Sequence, residues 1–182
     1  FFRNPLPDEE NSIWMHPHFP CPDQSDVETI NRMDIEARSK AVQTWEFFKK
    51  YVPGFEKSYI LKTCHQLGTT GGRRVEGEYR LTTDDVVECK PFEDTIAIFP
   101  NNDLKSKDVD YKKIVYVPYR SIIPKGIDNM LVACRAFSSD EIVNNHFNLI
   151  PHCMCIGQAA GIAAAIAVAK KIDLRDVPSE EL

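Results

Sequence analysis

Between Ile156 and Ala169 every residue is isoleucine, valine, alanine or glycine, apart from Gln158. Alanine is the strongest helix former, so the spacing predicts a helix opened by Gly157-Gln158-Ala159-Ala160-Gly161 and running to Lys171. Side chains this small bury little surface of their own, and such a helix settles only where another backbone approaches closely. A glycine in its first turn would leave backbone N–H groups and a partial positive charge open to a phosphate or carboxylate. The plainer alternative is that the glycines only permit tight packing. Broken by Gly157, Gln158 and Gly161, the apolar run is too short to span a bilayer.

The remaining composition narrows the class of partner. At 182 residues the chain can bury one substantial core. Its 22 Lys+Arg against 27 Asp+Glu leave a net charge of −5 without a basic block, which argues against nucleic acid. The first residues, Phe1-Phe2-Arg3-Asn4-Pro5, have neither an initiator Met nor the order of a signal peptide. The chain is therefore expected to begin inside a longer protein. The six cysteines Cys21, Cys64, Cys89, Cys134, Cys153 and Cys155 are scattered, unlike a dense disulfide framework. A reducing, cytoplasmic compartment is expected. Cys153 and Cys155, with His146 and His152 nearby, lack the second C-x2-C pair of a structural zinc site, so buried thiols are expected and no metal.

Three regions follow from the punctuation. Residues 1–24 hold Pro5, Pro7, Pro17, Pro20 and Pro22 and read as an extended strap. Residues 25–120 begin with a helix capped by Ser25 or Asp26, either whole or broken near Asp34. It carries apolar residues from Ile30 to Tyr51 at helical intervals and is stopped by Pro53-Gly54. Short strands are predicted at Tyr59–Cys64, Arg73–Leu81, Asp94–Phe99 and Lys113–Val117, with a capped helical turn at Thr82–Asp85. Residues 121–182 add a buried parallel strand at Asn129–Ala133 and the alanine-rich helix. The fold class is mixed α and β.

An ordered series of motifs goes further. Pro118-Tyr119-Arg120-Ser121-Ile122-Ile123-Pro124 precedes Asn129-Met130-Leu131-Val132-Ala133-Cys134-Arg135 with Ser138, and then Pro151-His152-Cys153-Met154-Cys155-Ile156-Gly157-Gln158-Ala159-Ala160-Gly161. This series resembles the C-terminal part of the FAD-dependent oxidoreductases related to fumarate reductase and succinate dehydrogenase flavoproteins. Their pattern runs P-Y-R-x-L-[IV]-P, N-L-L-[VA]-A-G-R-x-x-S and R-x-x-P-x-C-M-x-x-G-Q-A-A-G. Upstream, Leu67 to Asp85 resembles the family's G-x-R-x-x-R-R-x-x-G-x-Y-x-L-T-x-x-D, and the resemblance extends over about residues 30–170. The chain departs from it at Thr70 and Asn148, where arginine is expected, and at Cys134, where glycine is expected. An altered substrate would follow.

The resemblance implies a substrate or cap region plus the C-terminal part of a two-domain FAD-binding fold. The N-terminal G-x-G-x-x-G that cradles the pyrophosphate has no counterpart here. It implies that Gly157, Gln158 and Ala159 meet the flavin ring, with Cys134, Arg135, Ser138 and Pro151 also facing the cofactor. Arg74 and His146 stand as candidate catalytic groups on the substrate side, with Arg120 beside them; for each, an exposed salt bridge or a satisfied core histidine is the reading the residue type favours. The implied function is hydride transfer between FAD and a small organic substrate, with a partner chain or domain supplying the nucleotide-binding half. Two alternatives remain open: a non-catalytic module completing a flavoprotein, and a thiol or metal protein using Cys153 and Cys155.

Overall fold

A computed structural model of the chain describes residues 2–3, 12–69, 71–100, 114–147 and 149–182. Thr70, Lys113 and Asn148 lie outside the described residues, and of His146 only the backbone is described. The chain divides into two units between Gly68 and Thr69, within the region 25–120.

The first unit is built on helix α1, Val27–Tyr51. Asp26 caps it by accepting from the Thr29 N–H at 2.9 Å, Glu28 lies in the first turn, and Lys49 and Lys50 lie in the last. Those charges suit the helix dipole at both ends. The helix passes Asp34 unbroken, and Asp34 pairs with Arg38 one turn on at 2.9 Å. Of its residues only Thr29 and Met33 are buried. Strands β1, Phe2–Arg3, and β2, Ile13–Trp14, pair antiparallel.

Tyr59–Cys64, expected as a strand, is irregular instead. Its flanks are tied to α1 by side chains: Trp45 Nε1 donates to the Ser58 carbonyl at 3.2 Å, and Arg38 Nη1 donates to Thr63 Oγ1 at 2.7 Å. Among the described residues no strand neighbours this β-prone run, so it has no ladder to join.

The second unit holds the main core. Strands β3, Thr95–Pro100, and β4, Ile114–Pro118, form an antiparallel hairpin pairing Ala97 with Val117 and Phe99 with Val115. Those four side chains are buried and Ile98 is exposed, as a sheet with one covered face requires. The cover comes from helix α4, Ile150–Lys170, through Ile156, Ala160, Ala163 and Ala167. Helix α2, Thr83–Val87, and helix α3, Glu141–His146, complete the unit.

The predicted strand Arg73–Leu81 takes part in backbone pairing without becoming a regular strand. Glu78 N–H donates to Ile123 O at 2.9 Å and Lys125 N–H to Glu76 O at 2.8 Å on one side. On the other, Val75 N–H donates to Ala136 O at 2.8 Å and Leu81 N–H to Ser138 O at 3.1 Å. Only isolated bridges result, Gly77 to Pro124 and Leu81 to Ser139. At Gly77 the chains come so close that a Cβ would lie 2.7 Å from Ser138 Cβ and 3.1 Å from Ser121 O. Glycine is the residue that fits there.

Two further expectations need correcting. Asn129–Ala133 is no buried strand: Asn129 takes a left-handed φ of 53°, Met130 is exposed, and the run is tied to Ile122 O through Val132 N–H at 2.8 Å. The alanine-rich helix does not open at Gly157. It begins seven residues earlier, with Leu149 as N-cap and Pro151 in the first turn. The lengthened α4 is apolar enough, by length and composition alone, to cross a membrane. It packs on β3 through a buried face from Ile156 to Ala167, while Ile150, Met154 and Val168 are exposed.

Candidate functional site

Two places in the second unit hold several of the residues singled out in the sequence. The first surrounds the turn Cys134–Ser138, held from three directions. The Ala136 carbonyl accepts from Val75 N–H at 2.8 Å, which sets the backbone of Arg74 beside this turn. Ser138 donates its N–H to Ser121 O at 2.9 Å and accepts from Leu81 N–H, and its side chain is buried against Gly77. Asn144 of α3 donates from Nδ2 to the Arg135 carbonyl. Cys134 is exposed and its sulfur accepts from Ala136 N–H at 3.4 Å, so the side chain standing in glycine's place folds back on its own turn.

Arg135 reaches across the unit to Thr69, donating from Nη1 to its carbonyl and from Nη2 to its hydroxyl at 3.3 Å. Both acceptors are neutral. Among the described residues the guanidinium is oriented without its charge being paired with a carboxylate, which suits a group that binds an anion. Arg120 contrasts with it: its Nε and Nη2 engage Asp94 at 2.9 and 3.1 Å in a bidentate pair, and its N–H donates to the same carboxylate. Burial alone would raise the Asp94 pKa, but the Arg120 bonds hold it below the usual carboxylate range. The charge of Arg120 is thus paired with a carboxylate.

The second place is a half-open cavity of about 260 Å³ between β3 and α4. It is lined by Ile96, Ala97, Ile98, Cys155, Gln158, Ala159 and Leu182. Gln158 supplies the side-chain amide of a lining of mixed polar and apolar character. Gly157 and Gly161, one turn apart, face open space: nothing lies within 4 Å of a Cβ built on either. Because α4 starts at Ile150, the N–H groups of 157–159 belong to the helix interior. The first intrahelical bond runs from Cys153 N–H to Leu149 O at 3.1 Å, so the positive end of the dipole lies at Leu149–His152. Pro151, exposed in that first turn, is the predicted cofactor residue found there.

His146 ends α3, and its imidazole is outside the description. Cys153 and Cys155, two apart on a helix, point to different sides, and neither is the buried thiol expected: Cys155 is exposed and Cys153 half-buried. Among the described residues no group of three or more His, Cys, Asp or Glu is arranged to hold a metal ion.

Sequence reading missed a network beside the site. The Tyr79 hydroxyl lies 2.9 Å from both Asp85 oxygens, Asp85 closes a capping box with Thr82, and Lys90 Nζ lies 3.0 Å from Asp85. Burial would raise the Asp85 pKa, yet bonds from Lys90, Thr82 and Tyr79 hold it low. Gly77, Tyr79, Leu81, Thr82 and Asp85 are the residues that match G-x-Y-x-L-T-x-x-D. Here that motif is a structural device: a close approach, a core leucine and a helix cap. Asn144, whose donor serves a residue nine positions away, carries no sequence signal of its role.

No curated protein and no solved structure matches the chain at a significant level. A motif series ordered as in flavoproteins, converging on one turn and one helix, agrees with the comparison that does succeed. The model of the FAD dependent oxidoreductase family matches residues 1–182, and the chain belongs to that family.

Proposed function

We propose that this chain forms the flavin-ring and substrate side of an FAD-dependent oxidoreductase acting on a small organic substrate, related to the fumarate reductase flavoproteins. The pyrophosphate cradle would come from another stretch of polypeptide. The observation that carries this reading is a mismatch. The family model covers the whole chain, yet its eight glycines (54, 68, 71, 72, 77, 126, 157 and 161) contain no G-x-G-x-x-G. Gly71 and Gly72 precede an irregular run rather than a helix, so no helix N-terminus follows them to receive phosphates.

The donor set suits the other end of the cofactor. FAD, when bound, supplies the acceptor and donor of hydride. Arg135, oriented by two neutral oxygens, would hold an anionic group of cofactor or substrate. The first turn of α4, at Leu149–His152, favours negative charge by its dipole. Ile96, Ile98 and Ala159 would exclude water, and the Gln158 amide would orient a polar edge. Arg74 would hold an anionic group of the substrate and His146 would hold or move its proton. Six free cysteines suit a reducing, cytoplasmic setting.

The test is the visible spectrum and FAD content of the native protein, beside an FAD titration of residues 1–182 alone. Flavin in the native material and no tight binding by the isolated chain are expected. A native protein without flavin would overturn the oxidoreductase reading, and stoichiometric binding by the chain alone would overturn the division of labour.

A further inference from the structure

Asn144 is 2% exposed, among the most buried polar residues of those described, and stands on the six-residue helix α3. Its Nδ2 donates to the Arg135 carbonyl. A buried amide reaching a backbone oxygen nine residues earlier fixes the plane of the Arg135–Ala136 peptide. The next carbonyl, that of Ala136, accepts from Val75 N–H at 2.8 Å, and the Arg135 guanidinium holds the Thr69 carbonyl and hydroxyl. One side-chain amide thus sits at the root of a chain of contacts that aims an exposed cation.

We propose that Asn144 is a positioning residue that orients Arg135 for the anionic group it binds. The inference rests on the reading of Cys134–Ser138 as a cofactor-facing turn. α3 supplies rigidity through two other contacts: Val143 is buried in the core, and Asp140 caps the helix by accepting from Val143 N–H at 2.8 Å. Among the described residues neither is hydrogen-bonded or ion-paired to Arg135, so the amide of Asn144 and the stability of α3 are separable. An aspartate at 144 keeps the shape and replaces the donor with an oxygen facing the Arg135 carbonyl.

The experiment uses the full flavin-loaded protein with three variants, Asn144→Asp, Val143→Ala and Arg135→Ala, and two readouts. The first is amide hydrogen exchange at Val75. Asn144→Asp should accelerate it beyond the effect of Val143→Ala, which loosens α3 by packing loss alone. Equal acceleration by both would overturn the positioning role. The second readout is FAD affinity. Asn144→Asp should weaken it about tenfold, the size of one buried hydrogen bond. The double variant Arg135→Ala/Asn144→Asp should be no weaker than Arg135→Ala alone.

Additive losses would mean that Asn144 does not act through Arg135. Unchanged affinity in Arg135→Ala would overturn the cofactor role of that turn, while the Val75 exchange would still judge whether Asn144 sets its geometry. Should Asn144→Asp fail to fold, the unmodified protein serves. The Asn144 side-chain amide protons should then exchange as slowly as core backbone amides, and exchange at the solvent rate would overturn the proposal.

Discussion

The carboxylate of Asp140 accepts from both the backbone N–H of Thr83, at 2.5 Å, and its hydroxyl, at 2.7 Å. The same carboxylate caps α3 through Val143 N–H. One side chain therefore joins the starts of α2 and α3, elements far apart in sequence, and α3 is the helix that carries Asn144. Burial alone would raise the Asp140 pKa, but the bonds from Val143 and Thr83 and the charge of Arg80 hold it below the usual value.

Because that pKa is lowered in the folded state, the ionised form stabilises the fold above the unfolded value of 3.8. That contribution disappears as pH falls through the folded value. Asp140→Ala should cost about 2 kcal/mol at neutral pH, the combined size of a lost cap and a charge-assisted hydrogen bond. Urea unfolding of both proteins at neutral and strongly acidic pH is the check. The gap between them should shrink in acid.

Tyr119 forecasts the opposite limb of the pH profile. It is 3% exposed, its hydroxyl donates to Leu174 O at 2.9 Å, and burial followed by the charge of Asp173 pushes its pKa up to about 12. A raised folded pKa means that the neutral phenol stabilises the fold below its unfolded value of 10.0 and that this contribution is lost as pH rises through the folded one. Alkaline unfolding should therefore set in over that interval. Tyr119→Phe should be about 1 kcal/mol less stable at neutral pH and lose less stability on the way to alkaline pH. Identical alkaline profiles would refute the assignment.

Gly77→Ala should destabilise the second unit by about 1–3 kcal/mol, the usual cost of overpacking. The added methyl would meet Ser138 Cβ at 2.7 Å and two carbonyl oxygens, Ser121 O at 3.1 Å and Arg120 O at 3.2 Å, which backbone pairing keeps from retreating. Ser138→Gly should recover part of the loss, since it removes the nearest atom. Chemical denaturation of the two single variants and the pair settles the matter.

How far these features can be read from sequence depends on where their partners lie. The capped turn at Thr82–Asp85 and the start of α1 at Asp26 are legible because cap and partner sit three residues apart. The hairpin strands are legible from local apolar runs. Tyr59–Cys64 and Asn129–Ala133 have strand-like sequences, but a strand needs a partner that no local pattern supplies. The start of α4 is misread because Gly157 looks like a beginning, while the effective signals are Leu149 and the proline at Pro151. At the candidate site, the Arg135–Thr69 contact spans 66 positions, beyond any local pattern.

The open space above Gly157 and Gly161 yields the last prediction. Both glycines stand inside α4, where glycine costs a helix about 1 kcal/mol relative to alanine. A Cβ at either position meets nothing within 4 Å. In the isolated chain, Gly157→Ala and Gly161→Ala should therefore each raise stability by up to about 1 kcal/mol, seen as a higher denaturation midpoint. In the flavin-loaded protein the sign should reverse. If that space is where cofactor and nucleotide-binding polypeptide approach the α4 backbone, the same methyl groups obstruct them, and FAD affinity should fall as the isolated chain grows more stable. A pair of variants that stabilises the chain and leaves FAD affinity untouched would mean that this face of α4 meets neither. A pair that fails to stabilise the isolated chain would mean that the space is already filled without them.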